Sequence, residues 1–348
     1  MTAVGPVRVT RDYLTGSGDE PGGFRADEEL GIEGYLTGGA TRMAALAGVG
    51  ESFAKASRVL SELAGWVLDD DTIRLATHAT ARRAAATRPE RPDAARFAEA
   101  PGAVEVPIDA GKVNTTGGWR DVKVAVFAKR EEGEPAAPKD WDDRKLPPPT
   151  VRTVVAAIEG VDAFAERLKA EADRLGVTGS GDVAVLGDGA HWIWNLAGSV
   201  LPQAKGVLDV YHAAEHIASA AKAVWGEGTA RAAAGLEEGR SALIAEGLSG
   251  LEAWIGRVFA EMGTGVGYDA LISLAAYATS HTTRLDYADR LQGGRSIGSG
   301  LIEGTIKQLV NLRLKRTGAR WSVENVGPLV ELVALADSPE WQSIWTAI

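Results

Sequence analysis

The chain has 348 residues, of which 45% are hydrophobic and 24% charged, a balance typical of a folded globular protein with room for two or three domains. It contains no cysteine, which excludes disulfides and thiolate zinc sites, and its formal net charge of -10 argues against coating DNA through bulk positive charge. The first residues lack a signal-peptide pattern and no apolar stretch reaches the length of a membrane span, so we expect a cytoplasmic protein without membrane contact.

The N-terminal part of the chain is predicted to be an irregular arm followed by helices. Residues 1 to about 35 are rich in glycine and acidic residues, whereas apolar residues from about Gly39 to Arg83 recur every three or four positions. The last of these helices begins with acidic residues and ends with Arg82 and Arg83, the order that a helix dipole favours. We therefore assign residues 1–100 to an arm and a helical region, whose basic end predicts either DNA contact or a solvated surface.

Alternating apolar residues predict a mixed sheet between residues 101 and 217. The pattern predicts one strand that ends at Asp109, a later one that ends at Asp188, and a further strand that carries Asp209. Short turns join the first three strands, which suits an antiparallel meander, while helical crossovers precede the later ones, which suits parallel neighbours. This order predicts an α/β fold with an RNase H-like mixed sheet.

Two further segments complete the predicted architecture. Residues 218–292 are rich in alanine and carry a helical pattern, which predicts an all-helical insertion. Residues 293–348 begin with several glycines and predict one last core helix with a basic face.

Three acidic residues, Asp109, Asp188 and Glu303, are candidates for a metal site. The two aspartates leave the same sheet edge if their strands are neighbours, and Glu303 stands near the start of the final helix. Mg²⁺ prefers carboxylate oxygens, and two shared ions can activate a water or a 3′-hydroxyl and stabilise the leaving oxygen. Spacing alone is a weak signal, because the chain has 47 acidic residues and an Asp–Gly step is also a common turn. Asp209, near another predicted strand end, is the rival to Asp188.

Three sequence blocks carry a family resemblance. The segments LGDGAHWIWN, VLDVYHAAEH and GSGLIEGTIKQLVNLRLKRTGARWS resemble, in order and spacing, conserved blocks of the ISKra-type family of bacterial insertion-sequence DDE transposases. The resemblance runs from about residue 30 to the C-terminal W-x-x-x-W. It implies an RNase H-like fold, Asp109, Asp188 and Glu303 as catalytic metal ligands, and two Mg²⁺ or Mn²⁺ ions. It also implies cleavage and strand transfer at double-stranded transposon ends by a homo-oligomer.

Two features separate this chain from that family pattern. Members commonly carry a cysteine-containing, zinc-ribbon-like segment near the N-terminus, and this chain has no cysteine. Its net charge of -10 is also unusual for a transposase. These features support a second hypothesis, a domesticated or N-terminally shortened copy that binds nucleic acid without cutting it.

A basic run follows the candidate glutamate. Residues 304–320 carry a net charge of +5 and no acidic residue, which predicts contact with the phosphate backbone, although a solvated helix face has the same composition. Arg295, in a glycine-rich loop, is a candidate for a phosphate contact or for an ion pair with an acidic residue. The predicted DNA-binding residues are Lys307, Arg313, Lys315, Arg316, Arg320 and Arg295.

The sequence also contains an H-x-x-E-H pattern, formed by His212, Glu215 and His216. In one class of zinc peptidases the two histidines of this pattern hold zinc and the glutamate acts as base. Three fixed positions often arise by chance, and these lie inside a transposase-like block, so a zinc peptidase is the third hypothesis. If the protein is a transposase, both histidines line the core beside the active site. His191 then contacts DNA or a metal-bound water, or has only a capping or packing role.

Overall fold

The computed structural model describes residues 1–16, 22–34, 36–262, 265 and 267–346. Residues 17–21 and Tyr35, which belong to the predicted N-terminal arm, lie outside the described residues. The strands are β1 (Ile32–Glu33), β2 (Leu36–Thr37), β3 (Ala103–Thr115), β4 (Gly118–Arg130), β5 (Val151–Ala157), β6 (Val183–Gly187) and β7 (Lys205–Leu208). The α-helices are α1 (Arg25–Leu30), α2 (Gly38–Gly50), α3 (Phe53–Ala64), α4 (Asp70–Ala86), α5 (Asp93–Glu99), α6 (Val161–Arg174), α7 (His191–Val200), α8 (Val210–Trp225), α9 (Ala230–Met262), α10 (Tyr268–Ser280), α11 (Tyr287–Gln292), α12 (Gly300–Ile306), α13 (Val323–Ala336) and α14 (Ser343–Thr346).

The predicted helical stretch near the N-terminus is divided into three helices. The side chain of Ser52 accepts a hydrogen bond from the Lys55 amide at the start of α3, and Asp69 does the same for Thr72 at the start of α4. Gly65, with a φ of 64°, ends α3 in the left-handed conformation that glycine adopts without strain. The capping residues therefore explain why a segment with one continuous helical pattern of apolar residues forms three separate helices.

Five strands form one mixed sheet in the order β5-β4-β3-β6-β7. Strands β3, β4 and β5 are antiparallel neighbours, whereas β6 is parallel to both β3 and β7. The prediction of a mixed α/β sheet, with an antiparallel meander followed by parallel strands, is confirmed.

Helices cover both faces of this sheet. Val106 and Ile108 of β3 face one cluster, which also contains residues of α6, α7 and α8. Val113 of β3 and Val122 of β4 face a second cluster with residues of α12 and α13. All four of these side chains are fully buried, and each contributes about 1.5–3 kcal/mol by leaving water. Side chains on the two faces of the sheet therefore pack into two separate hydrophobic cores.

Strands β3 and β4 extend beyond their neighbours. Strand β6 pairs with β3 only over Val104–Pro107, and β5 pairs with β4 only over Lys123–Lys129. Residues 111–122 consequently form a two-stranded hairpin, the β3–β4 extension. The predicted end of the first strand at Asp109 is therefore wrong, because β3 continues to Thr115.

Asp209, which the sequence pattern placed on a strand, lies just after one. Strand β7 ends at Leu208, and Asp209 is the N-cap of α8, where its Oδ1 accepts a hydrogen bond of 2.8 Å from the His212 amide. The segment that looked like a strand therefore changes to a helix in its middle. An aspartate that satisfies a free amide at a helix start explains that change.

The predicted single final helix is two helices. The first, here called the Glu303 helix, comprises residues 300–314 and includes a π-helical segment, Lys307–Leu312. The second is α13, and the turn between them contains Gly318 at a φ of 78°. The basic run thus spans a helix and a turn, because the helix ends before its last basic residues.

The described part of residues 218–292 is mainly helical, as predicted. Helix α9 contains a break at Gly247, whose φ of 59° and ψ of -137° are not helical. Among the residues that the structure describes, no helix is both long enough and apolar enough to cross a membrane.

Two half-buried arginines connect the segment between α4 and α5 to α6 and to α13. Arg88 forms ion pairs with Glu171 and Glu331, both at 2.9 Å, and Arg174 pairs with Glu171 and Asp93, both at 2.7 Å. Burial alone would raise the pKa of Glu171, but hydrogen bonds from Arg174 and Arg88 outweigh it and lower this pKa to about 2. These five residues, here called the arginine network, connect three parts of the chain that are distant in sequence.

Candidate active site

The sheet places Asp109 beside Asp188. Strands β3 and β6 are parallel, and their last paired residues are Pro107 and Leu186. Asp109 and Asp188 each follow two residues later on neighbouring strands, which lie about 4.8 Å apart in a sheet. Both residues are half-buried. The prediction that the two carboxylates share one region of the sheet is confirmed for these residues.

The Glu303 helix lies over the same part of β3. A Cβ atom at Gly111 would lie 3.0 Å from Ile306 and 3.1 Å from Val310, so the absent side chain lets the helix pack closely on the strand. Glu303 precedes Ile306 by about one turn and is exposed. The Ser299 hydroxyl lies 3.4 Å from Glu303 Oε1, at the long end of hydrogen bonding.

The charges of Asp188 and Glu303 act on Asp109. Burial and these two charges raise the pKa of Asp109, its hydrogen bond from the Ala110 amide lowers it, and the resulting pKa is about 6. The charge of His212 lowers it slightly. None of the three acidic residues forms an ion pair with a lysine or arginine among the described residues. The repulsion at Asp109 is therefore not cancelled by a direct ion pair.

This set of residues fits a hard divalent cation in its chemistry. One oxygen of Asp109 accepts the Ala110 amide at 2.6 Å, and one oxygen of Asp188 accepts the Ala190 amide at 2.9 Å. Within the described residues, the second oxygen of each aspartate has no hydrogen-bond partner. The side chains as placed do not form a group of three or more metal ligands in the described part of the chain. The fit therefore rests on the placement of the backbone and on the donor type.

Asp209 has a different environment from the other candidates. It is 2% exposed, and besides capping α8 it accepts a short hydrogen bond from the Ser299 amide through Oδ2. Both carboxylate oxygens are thus bonded to backbone amides. This arrangement holds the loop before the Glu303 helix against the start of α8, so Asp209 positions the site's elements and Asp188 is the better candidate ligand.

Three of the six predicted DNA-binding residues have protein partners instead. Arg313 is 3% exposed, its guanidinium packs against the rings of both Phe53 and Trp321, and its Nε donates to the Gly48 carbonyl. The prediction that Arg313 contacts DNA is wrong, because the residue packs the Glu303 helix against the N-terminal helices.

The other two form ion pairs. Arg316 pairs with Glu51 at 3.1 Å, and Arg295 pairs with Glu132 at 2.8 Å and Asp182 at 3.0 Å. Asp182 precedes β6, whereas Asp188 follows it, so Arg295 lies at the end of the sheet opposite the carboxylates. The alternative expected from the sequence, an ion pair with acidic residues, holds for Arg295.

The remaining three basic residues are available to an anionic partner. Lys307, Lys315 and Arg320 are exposed, and none forms an ion pair among the described residues. Lys307 stands four residues after Glu303 in the same helix. The basic run therefore offers three exposed cations rather than five along one face, and Lys307 is the one that follows Glu303 by about one turn.

The H-x-x-E-H residues lie on α8, but in contacts that do not resemble a zinc site. His216 stacks on Tyr277 with ring centroids 3.7 Å apart, and Glu215 is 76% exposed and lies 3.5 Å from His212 Nδ1. Burial lowers the pKa of His216. His191 is exposed at the start of α7. Of the two histidines, His212 lies close enough to Asp109 for its charge to act on that carboxylate.

Sequence reasoning missed an aromatic group next to Asp188. The buried hydroxyl of Tyr277 has no hydrogen-bond partner among the described residues. A Cβ atom at Gly189 would lie 2.6 Å from that hydroxyl and 3.2 Å from His281. Gly189 also has a φ of 94°, so this position requires glycine both for space and for conformation. The only signal in the sequence was a tyrosine in an alanine-rich helix.

No family model and no curated protein matches this sequence.

Proposed function

We propose that this protein is a metal-dependent polynucleotidyl transferase that cuts and joins DNA ends, with Asp109, Asp188 and Glu303 as the metal ligands. One observation carries the proposal: two aspartates at adjacent parallel strands and a glutamate on the overlying helix act on one another's charge, and none of the three forms an ion pair with a lysine or arginine among the described residues. Carboxylates held together at such a cost require a neutralising partner, and a divalent ion supplies it.

The fold we propose is RNase H-like. The order β5-β4-β3-β6-β7, with an antiparallel meander on one side and parallel strands on the other, supports it. So do the central position of the strand that carries Asp109 and the helical segment between Asp188 and Glu303. The resemblance to ISKra-type DDE transposases supports the same fold and the same three residues.

The proposed chemistry has two phosphoryl-transfer steps. In the first, a water oxygen attacks a phosphorus atom at the transposon end, and the bond from phosphorus to the 3′-oxygen breaks, leaving a 3′-hydroxyl and a 5′-phosphate. In the second, this 3′-hydroxyl attacks a phosphorus atom of the target strand and displaces a new 3′-hydroxyl. Two Mg²⁺ or Mn²⁺ ions, when bound, would activate the attacking oxygen and stabilise the leaving one.

The protein's own residues have separate tasks in these steps. Asp109 lies on β3 and Asp188 directly follows β6, and one oxygen of each accepts a hydrogen bond from a backbone amide. Glu303 comes from a helix, so its exposed side chain can adjust to the substrate. Lys307, Lys315 and Arg320 would bind the phosphate backbone of double-stranded DNA. Because two ends must be joined, we propose a homo-oligomer on DNA.

Metal-dependent nicking tests this proposal. Labelled DNA carrying the sequences that flank the gene is incubated with the protein and Mg²⁺ or Mn²⁺. We expect Asp109→Asn, Asp188→Asn and Glu303→Gln each to lower the cleavage rate by roughly a thousandfold, because a bound metal ion contributes several kcal/mol to such a step. Asp162→Asn, an exposed aspartate at the start of α6, is the matched control and should cut normally.

Two other outcomes separate the alternatives. Wild-type protein that binds DNA but does not cut with either metal would support the domesticated, binding-only form, which the net charge of -10 and the absence of cysteine favour. Cleavage that survives all three substitutions would refute the assignment of the site. Stoichiometric zinc that is lost in His212→Ala would instead support the peptidase.

A further inference from the structure

A tyrosine from α10 lies against the turn that begins at Asp188. Tyr277 is half-buried, and its hydroxyl oxygen is fully buried. A Cβ atom at Gly189 would lie 2.6 Å from that oxygen, so the hydroxyl reaches the backbone directly after Asp188. Two neighbours hold the ring in place, because it stacks on His216 with centroids 3.7 Å apart and lies T-shaped to His281 at 4.8 Å. The hydroxyl therefore has a defined position beside one candidate metal ligand.

This hydroxyl has no hydrogen-bond partner among the described residues. A buried hydroxyl without a partner lowers the stability of a fold, because the water that it loses is not replaced. Most buried polar groups are hydrogen-bonded, and an exception calls for a specific explanation. The hydroxyl of Tyr277 thus has a role other than stabilising the fold, and the question is which acceptor it serves.

The nearby imidazole of His281 cannot accept this proton. Its Nδ1 lies 3.3 Å from Arg284 Nη1, and a guanidinium only donates, so Nδ1 is the acceptor. Burial lowers the pKa of His281 to about 4, so the ring is neutral at pH 7 and its single proton is on Nε2. That nitrogen lies 3.2 Å from the position of a Gly189 Cβ atom. His281 is therefore a second donor beside the same turn, and Tyr277 needs an acceptor elsewhere.

Three carboxylates are the remaining candidates. Burial raises the pKa of Tyr277, and the charges of Asp188, Asp209 and Glu215 raise it further, in that order. Both oxygens of Asp209 already accept backbone amides, and Glu215 is 76% exposed. Asp188 has one oxygen bonded to a backbone amide and one without a partner among the described residues. Asp188 is therefore the acceptor that suits the hydroxyl.

We propose that Tyr277 is a positioning residue that donates a hydrogen bond to the free oxygen of Asp188 when this carboxylate holds a divalent ion. The two groups are not hydrogen-bonded in the structure, so the Asp188 side chain must turn toward the hydroxyl as it takes up the ion. A carboxylate oxygen has two lone pairs and can serve a donor and a cation together. This inference rests on the proposed function, and it adds a residue from the helical segment between Asp188 and Glu303 to the site.

Mn²⁺ binding and metal-free stability together test the inference. Calorimetric titration with Mn²⁺ alone measures the affinity, and thermal unfolding in EDTA measures Tm. We expect Tyr277→Phe to weaken Mn²⁺ binding by about tenfold, because donors behind a metal ligand fix its orientation. Its metal-free Tm should equal that of the wild type or rise, because no hydrogen bond is lost. A hydroxyl that served only the fold would give the reverse pattern.

Tyr287→Phe is the matched control. The Tyr287 side chain is also fully buried, but its hydroxyl donates to the Leu208 carbonyl at 3.0 Å. The same substitution there leaves a buried carbonyl without its donor. We therefore expect Tm to fall by about 2 °C and the Mn²⁺ affinity to change by less than about twofold.

The remaining outcomes overturn either this inference alone or the proposed function with it. Wild-type affinity for Mn²⁺ in Tyr277→Phe would overturn the role of the hydroxyl, and so would equal weakening in both tyrosine variants. If Asp188→Asn abolishes binding in either case, the metal site stands and only the role of Tyr277 falls. If Asp188→Asn binds Mn²⁺ as tightly as the wild type, or the wild type binds none, the assignment of the ligand falls and this inference with it.

Discussion

The arginine network and the carboxylate site both contain buried or half-buried acidic residues, but they place these residues in opposite electrostatic environments. In the network, Glu171 is 4% exposed, contacts two arginines and has a pKa lowered to about 2. At the site, Asp109 is half-buried, has two acidic neighbours and no arginine, and its pKa is raised to about 6. The chain thus neutralises acids internally where they support the fold and leaves them uncompensated at one end of the sheet.

This difference has a direct physical meaning. A buried carboxylate costs stability unless a cation or hydrogen bonds compensate it, and the network shows that this fold can supply arginines for that purpose. Where strand ends and a helix bring Asp109, Asp188 and Glu303 together, none of the three pairs with a lysine or arginine within the residues described. The experiments below test that contrast, in order of decreasing expected effect.

Removing the shared acid of the network should have the largest effect on stability. Glu171→Gln leaves Arg88 and Arg174 buried with fewer compensating charges, so we expect a loss of about 3–5 kcal/mol in the free energy of unfolding. Urea denaturation measures this loss, and Glu166→Gln, an exposed residue of the same helix, is the matched control. A cost of less than about 1 kcal/mol would show that the network contributes little to the fold.

Removing an acid at the site should instead stabilise the metal-free protein. The folded pKa of Asp109, about 6, exceeds its ordinary value of 3.8, so stability is lost as the pH rises through the interval between them. Asp109→Asn keeps the acceptor for the Ala110 amide and removes the charge. We expect it to raise the free energy of unfolding by about 1–2 kcal/mol at pH 7 and to have little effect near pH 4. A variant less stable than wild type at pH 7 would contradict the repulsion.

Adding a divalent ion should stabilise the wild type and leave a site variant almost unchanged. If Mg²⁺ binds with a dissociation constant on the order of 1 mM, a tenfold excess contributes about 1.4 kcal/mol and raises Tm by a few degrees. The shift should largely disappear in Asp188→Asn, measured by thermal unfolding against NaCl of equal ionic strength. An identical shift in both proteins would place the bound ion elsewhere.

Local patterns in the sequence predicted much of the framework. Alternating residues predicted β3, β4 and the mixed order of the sheet, and placed Asp109 beside Asp188. The position of Glu303 over the sheet could not follow from spacing, because its helix reaches β3 through packing at Gly111. Asp209 was misplaced on a strand because an N-cap and a strand end look alike when apolar residues flank both.

The basic run shows why charge alone was not enough. Arg313 looked like its neighbours in sequence, yet it is buried against Phe53 and Trp321, two residues more than 200 positions apart in the chain. Such a pocket forms only when the N-terminal helices dock on the Glu303 helix.

The π-helical segment Lys307–Leu312 fixes the orientation of the residues that follow it. A π turn holds one residue more than an α turn, so relaxing this segment to α-helix at unchanged length would rotate everything after it by about 100°. Glu303, which precedes the segment, would keep its position, whereas Arg313 would leave its contacts with Phe53 and Trp321. Deleting Asn311 removes the extra residue, so the same relaxation would then leave Arg313 close to its present orientation. The Glu303 helix should therefore tolerate a deletion within this segment better than a deletion in a regular α-helical turn.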